Sequence, residues 1–166
     1  RLFLNEHDAK YYDVLERALY NGVISGVSLS GDKFFYDNPL ESVHNHDRAP
    51  WFGCACCPGN ITRFMASVPG YVYTTDANSV YVNLFAAGDA RIPLGNDTIS
   101  ISQQTRYPWE GQVDISIEKS KTARFSLKIR IPGWAQNQPV PSDLYHFSDP
   151  NSETFSLKIN GKNEKI

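Results

Sequence analysis

Residues 79–85 read SVYVNLF, in which apolar side chains at every second position alternate with more polar ones. A period of two is the pattern of a β-strand that buries one face in a core. Four later segments alternate in the same way, separated by turn-rich stretches such as PLGND; they are residues 98–102, 112–117, 124–131 and 154–159. Five half-buried strands at this spacing predict an antiparallel β-sandwich over the second half of the chain.

The residues before Gly70 follow a different period. Apolar side chains recur at spacings of three and four between Asp8 and Tyr20, which predicts an amphipathic helix. Asp8 is placed to cap this helix, and Gly22 is expected just past its end. The first half of the chain is therefore expected to be helical at its start.

The segment that follows the first helix carries signals for a hairpin and a second helix. Residues 23–27 and 33–36 are short apolar runs on either side of the turn residues 30–32, which predicts a pair of extended strands. After Pro58, apolar side chains between residues 61 and 68 fall on one helical face. Pro58 is expected in the first turn of that helix, where its missing N–H costs nothing.

Composition and charge narrow the choice of partner. With 41% hydrophobic residues the chain can bury a core, and sixteen Lys and Arg against eighteen Asp and Glu give a net charge of -2. A nucleic acid or an anionic membrane is therefore not expected as a partner, and a neutral molecule fits better. The chain begins at Arg1 rather than at methionine, so we expect a piece of a longer protein, with cytoplasmic and exported locations both open.

All three cysteines of the chain lie in the segment CACC at residues 54–57. Their odd number and tight clustering argue against a disulfide framework, because adjacent cysteines form a disulfide only with strain. Cys56 and Cys57 are expected at a helix N-terminus, where the dipole and the free N–H groups favour the thiolate that binds metals and attacks electrophiles. Thiol or metal chemistry is the favoured interpretation for this pair, while a packing role is equally open for Cys54.

Two cysteines do not complete a zinc site, which has four ligands, or three ligands and an open position. His44 and His46 precede the cysteines closely, although a polar loop with two histidines is more often only solvated. No pattern singles out His7 or His146 as a ligand. Glu41 is a candidate catalytic carboxylate, although a surface role is more usual for such a residue. The sequence contains no Ser-His-Asp arrangement, phosphate-binding glycine loop or dinucleotide fingerprint.

Longer segments around the cysteines resemble a known enzyme family. The segments that carry the resemblance are WFGCACCPGNITRF at residues 51–64, FFYDNPLE at 34–41, AKYYDVLERALYNG at 9–22 and RIPGWA at 130–135. They are similar to glycoside hydrolase family 127, which includes bacterial β-L-arabinofuranosidases. The resemblance extends over nearly the whole chain.

This resemblance implies an architecture. In that family an (α/α)6 barrel is followed by β-sandwich domains. The chain is therefore expected to be an α+β fragment, with the last helices of the catalytic barrel in residues 1–70. Residues 71–166 are expected to form an antiparallel β-sandwich domain that is incomplete.

The resemblance also implies a site. In that family a zinc ion is bound by three cysteines and a glutamate, and the first cysteine of the adjacent pair is the nucleophile of a retaining mechanism. Cys56 would accordingly be nucleophile and zinc ligand, and Cys57 a zinc ligand, with Cys54 a neighbour outside the ligand set. Tyr36 resembles a tyrosine that lines the sugar site, and Trp51 is expected to help wall the same pocket.

The expected partner is a small-molecule or oligosaccharide substrate, a β-L-arabinofuranoside or a related sugar. The remaining zinc ligands and the acid/base glutamate are expected upstream of Arg1, so the fragment alone is expected to be inactive. A homodimer through the β-domain is expected of the full-length parent.

Two other classes of protein compete with this interpretation. One is a non-catalytic carbohydrate-binding or structural β-sandwich with a zinc or packing cysteine cluster, in which Trp109, Trp134, Tyr107 and Tyr145 form a sugar-stacking surface. The other is a thiol-redox protein. The redox protein is less favoured, because adjacent cysteines differ from the CxxC spacing that makes thiol exchange easy.

Overall fold

The computed structural model describes residues 1–37, 39, 41–44, 46–118, 124–150 and 155–166. Helices occupy much of the first half of the described chain and short strands much of the second, so the fold is α+β. Asn38 and Leu40 of the segment FFYDNPLE, and Thr154 at the start of the last predicted strand, lie outside the described residues. In the described part, none of the helices has the length and apolar character needed to cross a bilayer.

The helical half opens with two short helices. α1 spans Leu2–Glu6, which the periodicity does not predict, and α2 spans Lys10–Ala18. A π-helical turn, Leu19–Val23, and a 3-10 turn, Ile24–Gly26, continue the helical path without a break. The predicted amphipathic helix is thus present and runs on past its predicted end.

Two details of the first helix differ from the prediction. Gly22 lies inside the π-helical turn rather than beyond the helix, because the winding continues past it. The residue at the N-cap is Ala9, without a side-chain cap, so Asp8 is not the N-cap residue. The Asp8 carboxylate nevertheless accepts a hydrogen bond from the Lys10 N–H at 2.9 Å, which satisfies one free donor of the first turn.

A minimal ladder replaces the predicted hairpin. Val27 pairs with Phe34, and Phe34 in turn pairs with Ala49. The Phe34 N–H donates to the Ala49 carbonyl at 2.8 Å and the Ala49 N–H donates back at 2.9 Å. Gly31 lies in the turn between Val27 and Phe34 and has a φ of 78°, a conformation that favours glycine. The predicted first strand is shortened because Ile24–Gly26 is wound into the 3-10 turn.

The second long helix follows the cysteine segment. α3 spans Cys56–Ser67 and passes into a 3-10 turn, Val68–Tyr71. Pro58 lies in the first turn of α3 and is buried there, which confirms the sequence prediction.

The rest of the described chain contains a 3-10 turn, Gly133–Gln136, between the sixth and seventh of eight strands. The strands are β1 Tyr73–Thr75, β2 Ser79–Val82, β3 Gly88–Leu94, β4 Asp97–Thr105, β5 Val113–Ile117, β6 Ser126–Ile129, β7 Leu157–Ile159 and β8 Lys162–Glu164. They form one sheet of order β1-β2-β6, a second of order β3-β4-β5, and the hairpin β7-β8. The predicted strands correspond to β2, β4, β5, β6 and β7, and β7 occupies only the end of the last predicted segment.

The sheets depart from the prediction in two respects. The pairing of β2 with β6 is parallel, whereas the other pairings are antiparallel. Three strands, β1, β3 and β8, were not predicted. β3 escapes the pattern because it contains Pro93, and it tolerates the proline because it lies at the edge of its sheet.

Two apolar clusters connect these elements. The first joins the helices to the first sheet and consists of Phe3, Tyr12, Val72, Tyr81 and Leu84. The second joins the two three-stranded sheets and consists of Val80, Ile92, Ile99 and Ile101. The β-sandwich and the (α/α)6 barrel remain predictions for the whole protein.

A buried arginine links the helical half to the sheets. Arg130, just after β6, has a side chain only 2% exposed, and it lies 2.7 Å from Asp13 Oδ1 and 2.7 Å from Glu16 Oε1 on α2. Its Nε donates to the Asn83 carbonyl at 2.6 Å. The Tyr107 hydroxyl donates to Glu16 Oε1 at 3.0 Å, so this oxygen accepts hydrogen bonds from both Arg130 and Tyr107. The ion pairs therefore connect residues that are more than a hundred positions apart in sequence.

Replacement of Arg130 by methionine is expected to lower the free energy of unfolding by about 3–5 kcal/mol, because it leaves two carboxylates largely out of water without a cation. Urea unfolding followed by circular dichroism measures the change. The matched control is Glu110→Ala, since Glu110 pairs with Arg106 in an exposed position, with side chains 54% and 75% exposed. The control is expected to cost less than about 1 kcal/mol. Equal losses in the two variants would contradict the linking role of Arg130.

Candidate active site

The cysteine segment lies at the start of α3. Ala55 is the N-cap residue without a side-chain cap, so Cys56 and Cys57 are the first two residues of the helix. The Gly59 N–H donates to the Ala55 carbonyl at 3.1 Å, which closes the first turn. Free N–H groups and the positive end of the helix dipole therefore face the segment that carries the sulfurs.

The three sulfurs lie close together. Cys56 Sγ is 3.7 Å from Cys57 Sγ and 3.9 Å from Cys54 Sγ. Cys54 and Cys56 are exposed, and Cys57 is half-buried. Within residues 1–166, Cys56 is thus not packed as a small buried hydrophobic residue, and its sulfur is open to solvent.

Tyr36 is the residue that the fold brings to this cluster from a distance. Its hydroxyl oxygen lies 3.3 Å from Cys56 Sγ, although the two residues are 20 positions apart. Its ring packs against Phe52 with 5.3 Å between ring centroids. The ladder through Phe34 and Ala49 holds the chain beside the cysteine segment, so Tyr36 is placed by backbone hydrogen bonds as well as by packing.

These contacts shift the pKa values of Cys56, Cys57 and Tyr36 in different directions. The Tyr36 hydroxyl, followed by the Cys57 thiol, lowers the pKa of Cys56 through hydrogen bonds. The hydrogen bond with Cys56 raises the pKa of Cys57 and also that of Tyr36. The residues alone therefore favour one thiolate, on Cys56, and oppose a second negative charge on its neighbour.

The sulfur geometry fits a metal ion in part. Two sulfurs that are each about 2.3 Å from a tetrahedral zinc lie about 3.8 Å apart, and the Cys56–Cys57 separation of 3.7 Å matches this value. Thiolates are also a donor type that zinc prefers. Among the described residues, however, no group of three or more His, Cys, Asp or Glu side chains is arranged to hold a metal. The pair can supply two ligands, and further ligands must come from elsewhere.

The histidines have other contacts. His46 stacks on Phe35 with 4.8 Å between centroids, and its Nε2 lies 3.1 Å from the Asp37 carbonyl. His7 is exposed, and its ring stacks on that of Tyr81, a member of the first apolar cluster, with 4.7 Å between ring centroids. His44, like Glu41 and His146, is exposed.

The two predicted sugar-binding residues are placed differently. Tyr36 lies against the nucleophile candidate, as described above. Trp51 is 56% exposed, and its ring packs edge-to-face on Phe34 with centroids 6.3 Å apart. Trp51 is thus in the segment beside the cysteines, and its contact with a sugar stays a prediction.

Sequence reasoning missed two residues that shape this region. Phe52 supports the Tyr36 ring, and the guanidinium of Arg48 lies 4.3 Å from the centroid of Phe35. Arg48 also donates to the Ser25 carbonyl at 2.6 Å, which ties this segment to the end of the helical path. The aromatic residues that cluster in the sequence around positions 34 and 51 are the pattern from which such packing can be predicted.

The four aromatic residues of the competing interpretation have different surroundings. Tyr107 stacks on Trp134 with 6.3 Å between centroids and bonds to Glu16, so it belongs to the interior network. Trp109 is 86% exposed and lines, with Arg48 and Tyr107, a cleft of about 560 Å³. Tyr145 is exposed.

Known proteins resemble both halves of the chain. Residues 1–70 match the family model described as β-L-arabinofuranosidase, GH127 catalytic domain, and residues 79–166 match the model described as β-L-arabinofuranosidase, GH127 middle domain. A non-reducing end β-L-arabinofuranosidase of Bifidobacterium longum subsp. longum is 35% identical over 175 aligned positions, which cover 95% of this chain and 23% of the relative.

Solved structures agree with these matches. A GH127 β-arabinofuranosidase superposes with a TM-score of 0.92 at 47% identity, covering 99% of this chain and 26% of that one. A GH127 β-L-arabinofuranosidase from Geobacillus stearothermophilus T6 superposes with a TM-score of 0.79 at 36% identity, covering 99% and 25%. The chain thus spans about a quarter of the length of these relatives. It belongs to glycoside hydrolase family 127, with similarity that extends over both its helical and its β-rich parts.

Proposed function

We propose that this chain is part of a retaining glycoside hydrolase that cleaves β-L-arabinofuranosides or related sugars, with Cys56 as the nucleophile. The observation that carries the proposal is the position of Cys56 Sγ, which is exposed, at the start of α3, and within 3.7 Å of Cys57 Sγ and 3.3 Å of the Tyr36 hydroxyl. Membership of a family whose relatives are β-L-arabinofuranosidases supplies the substrate class.

The chain's own residues support the first chemical step. The thiolate of Cys56 attacks the anomeric carbon while an acid protonates the departing oxygen, which leaves the sugar bonded to sulfur. The Tyr36 hydroxyl can donate to the sulfur before attack and to the sugar after it. Water then hydrolyses the thioglycosyl bond, and Cys56 leaves again as thiolate, so that the anomeric configuration is retained.

Cys56 and Cys57 are the residues of this chain that would hold zinc. A bound zinc would keep both sulfurs deprotonated near neutral pH, which the residues alone do not favour. Cys54, which lies two residues before the nucleophile, is left outside the ligand set.

The remaining parts of the site are proposed to lie in other segments of the protein. From the family resemblance we propose that the acid/base glutamate, the glutamate ligand of zinc and a third cysteine ligand lie before the helix that opens this chain. We therefore propose that residues 1–166 alone do not hydrolyse a glycoside. A homodimer through the β-domain remains a prediction for the whole protein.

Cys56→Ser in the whole protein is expected to lower kcat for a chromogenic β-L-arabinofuranoside by roughly a thousandfold or more, because a serine hydroxyl is not ionised at neutral pH. Cys56→Ala should in addition lower the zinc content measured by mass spectrometry, because it removes a ligand. The matched control is Cys54→Ser, which should retain zinc. Full activity of Cys56→Ser would exclude a thiolate nucleophile.

Tyr36→Phe is expected to lower kcat/KM by roughly ten- to a hundredfold, since it removes a hydrogen bond to a charged group, worth about 1.5–3 kcal/mol. The ring and its contact with Phe52 are preserved, so the folded state should be unaffected. Tyr145→Phe is the control, because Tyr145 is 65% exposed. An unchanged kcat/KM in Tyr36→Phe would show that its hydroxyl takes no part in the reaction.

A further inference from the structure

Cys54 is the one cysteine of the cluster that has no part in the proposed reaction. Its sulfur lies 3.9 Å from that of Cys56, and both residues are exposed. The described contacts of this sulfur are with Cys56 and with the Tyr36 hydroxyl, so it lies directly beside the proposed nucleophile. An accessible thiol beside a reactive one is the arrangement of a resolving cysteine.

We propose that Cys54 is a resolving cysteine, which forms a reversible disulfide with Cys56 and switches the hydrolase off when small-molecule disulfides are abundant. The loss of hydrolysis rests on the function proposed for Cys56. Formation of the disulfide itself does not.

Two exchange steps produce the bond. The thiolate of Cys56 attacks one sulfur of a disulfide such as oxidised glutathione, which forms a mixed disulfide on Cys56 and releases one glutathione thiolate. The thiolate of Cys54 then attacks Cys56 Sγ and releases the second glutathione thiolate. Two protein thiols are oxidised, one glutathione disulfide is reduced to two thiols, and the two protons from the protein pass to the released thiolates.

The backbone favours Cys54 over Cys57 as the partner of Cys56. The sulfur separations are similar, 3.9 Å and 3.7 Å, and a disulfide requires about 2.05 Å. Cys56 and Cys57 are adjacent residues inside α3, and a bond between them would strain the helix. Cys54 precedes the N-cap residue, with Gly53 before it, so its backbone can adjust without unwinding α3.

Zinc and the disulfide compete for the same sulfur. Zinc held by Cys56 and Cys57 would engage the sulfur lone pair that attacks glutathione disulfide, and oxidation of Cys56 would remove one of its ligands. Oxidation is therefore expected to be faster in zinc-depleted protein and to release zinc from loaded protein.

The test uses the whole protein, zinc-loaded or zinc-depleted, incubated with oxidised and reduced glutathione at a series of ratios. Peptide mapping by mass spectrometry locates the disulfide, and a metal-sensitive dye follows zinc release. Wild-type protein should show a Cys54–Cys56 cross-link without retained glutathione, reversed by dithiothreitol. Cys54→Ser should instead retain glutathione on Cys56.

The redox midpoint provides a second readout. Because the intramolecular exchange has a high effective concentration, wild-type Cys56 should be half oxidised at a glutathione ratio at least about tenfold more reducing than in Cys54→Ser. Cys57→Ser should keep the Cys54–Cys56 cross-link in the zinc-depleted state. These outcomes together would establish Cys54 as the resolving residue.

Two results would overturn the inference: a Cys56–Cys57 cross-link, or a stable glutathione adduct on wild-type Cys56 without any cross-link. Either can occur in a protein that Cys56→Ser inactivates, which leaves the proposed function intact. A Cys54–Cys56 cross-link that leaves hydrolysis unchanged would instead contradict the proposed nucleophile, and with it the switch.

Discussion

The buried charge of Arg130 is the constraint on which the arrangement of the chain depends. A guanidinium that is 2% exposed is stable only if anions and acceptors replace its water, and Asp13, Glu16 and the Asn83 carbonyl do so. The carboxylates belong to α2, whereas the arginine follows β6. The helical path can therefore take only the position on the sheets that brings both carboxylates to the guanidinium.

The buried ion pairs of Arg130 also explain the segment RIPGWA, for which the sequence shows a family resemblance but no physical reason. In RIPGWA, a Cβ on Gly133 would lie 2.9 Å from Asp13 Oδ2, and the Gly133 N–H donates to Asp13 Oδ1 at 3.2 Å. Trp134 stacks on Tyr107, which bonds to Glu16. The segment thus packs around the ion pairs, and these contacts give each of Gly133 and Trp134 a structural role.

Sequence reasoning succeeded where the signal is local. The alternation at residues 98–102 predicts a strand, and β4 is found there. The proline at position 58 predicts the first turn of a helix, and it lies in the first turn of α3. The parallel pairing of β2 with β6 joins residues 47 positions apart, such as Val80 and Leu127, and no local period encodes it. At Ile24 a local signal is wrong: the apolar run around this β-branched residue predicts a strand, but Ile24 continues the winding that begins in α2.

The candidate site, too, has one part that local sequence predicts and one part that only the fold reveals. The CACC motif identifies the cysteines from sequence. The contact of Tyr36 with Cys56 depends on the ladder through Phe34, which cannot be predicted from residue spacing. That contact also sets a limit on the chemistry. The surroundings stabilise one thiolate and raise the pKa of the adjacent Cys57, so two ionised sulfurs at 3.7 Å need a cation between them. Without the cation, the single thiolate has an exposed thiol as its neighbour, and thiol exchange becomes the reaction open to it.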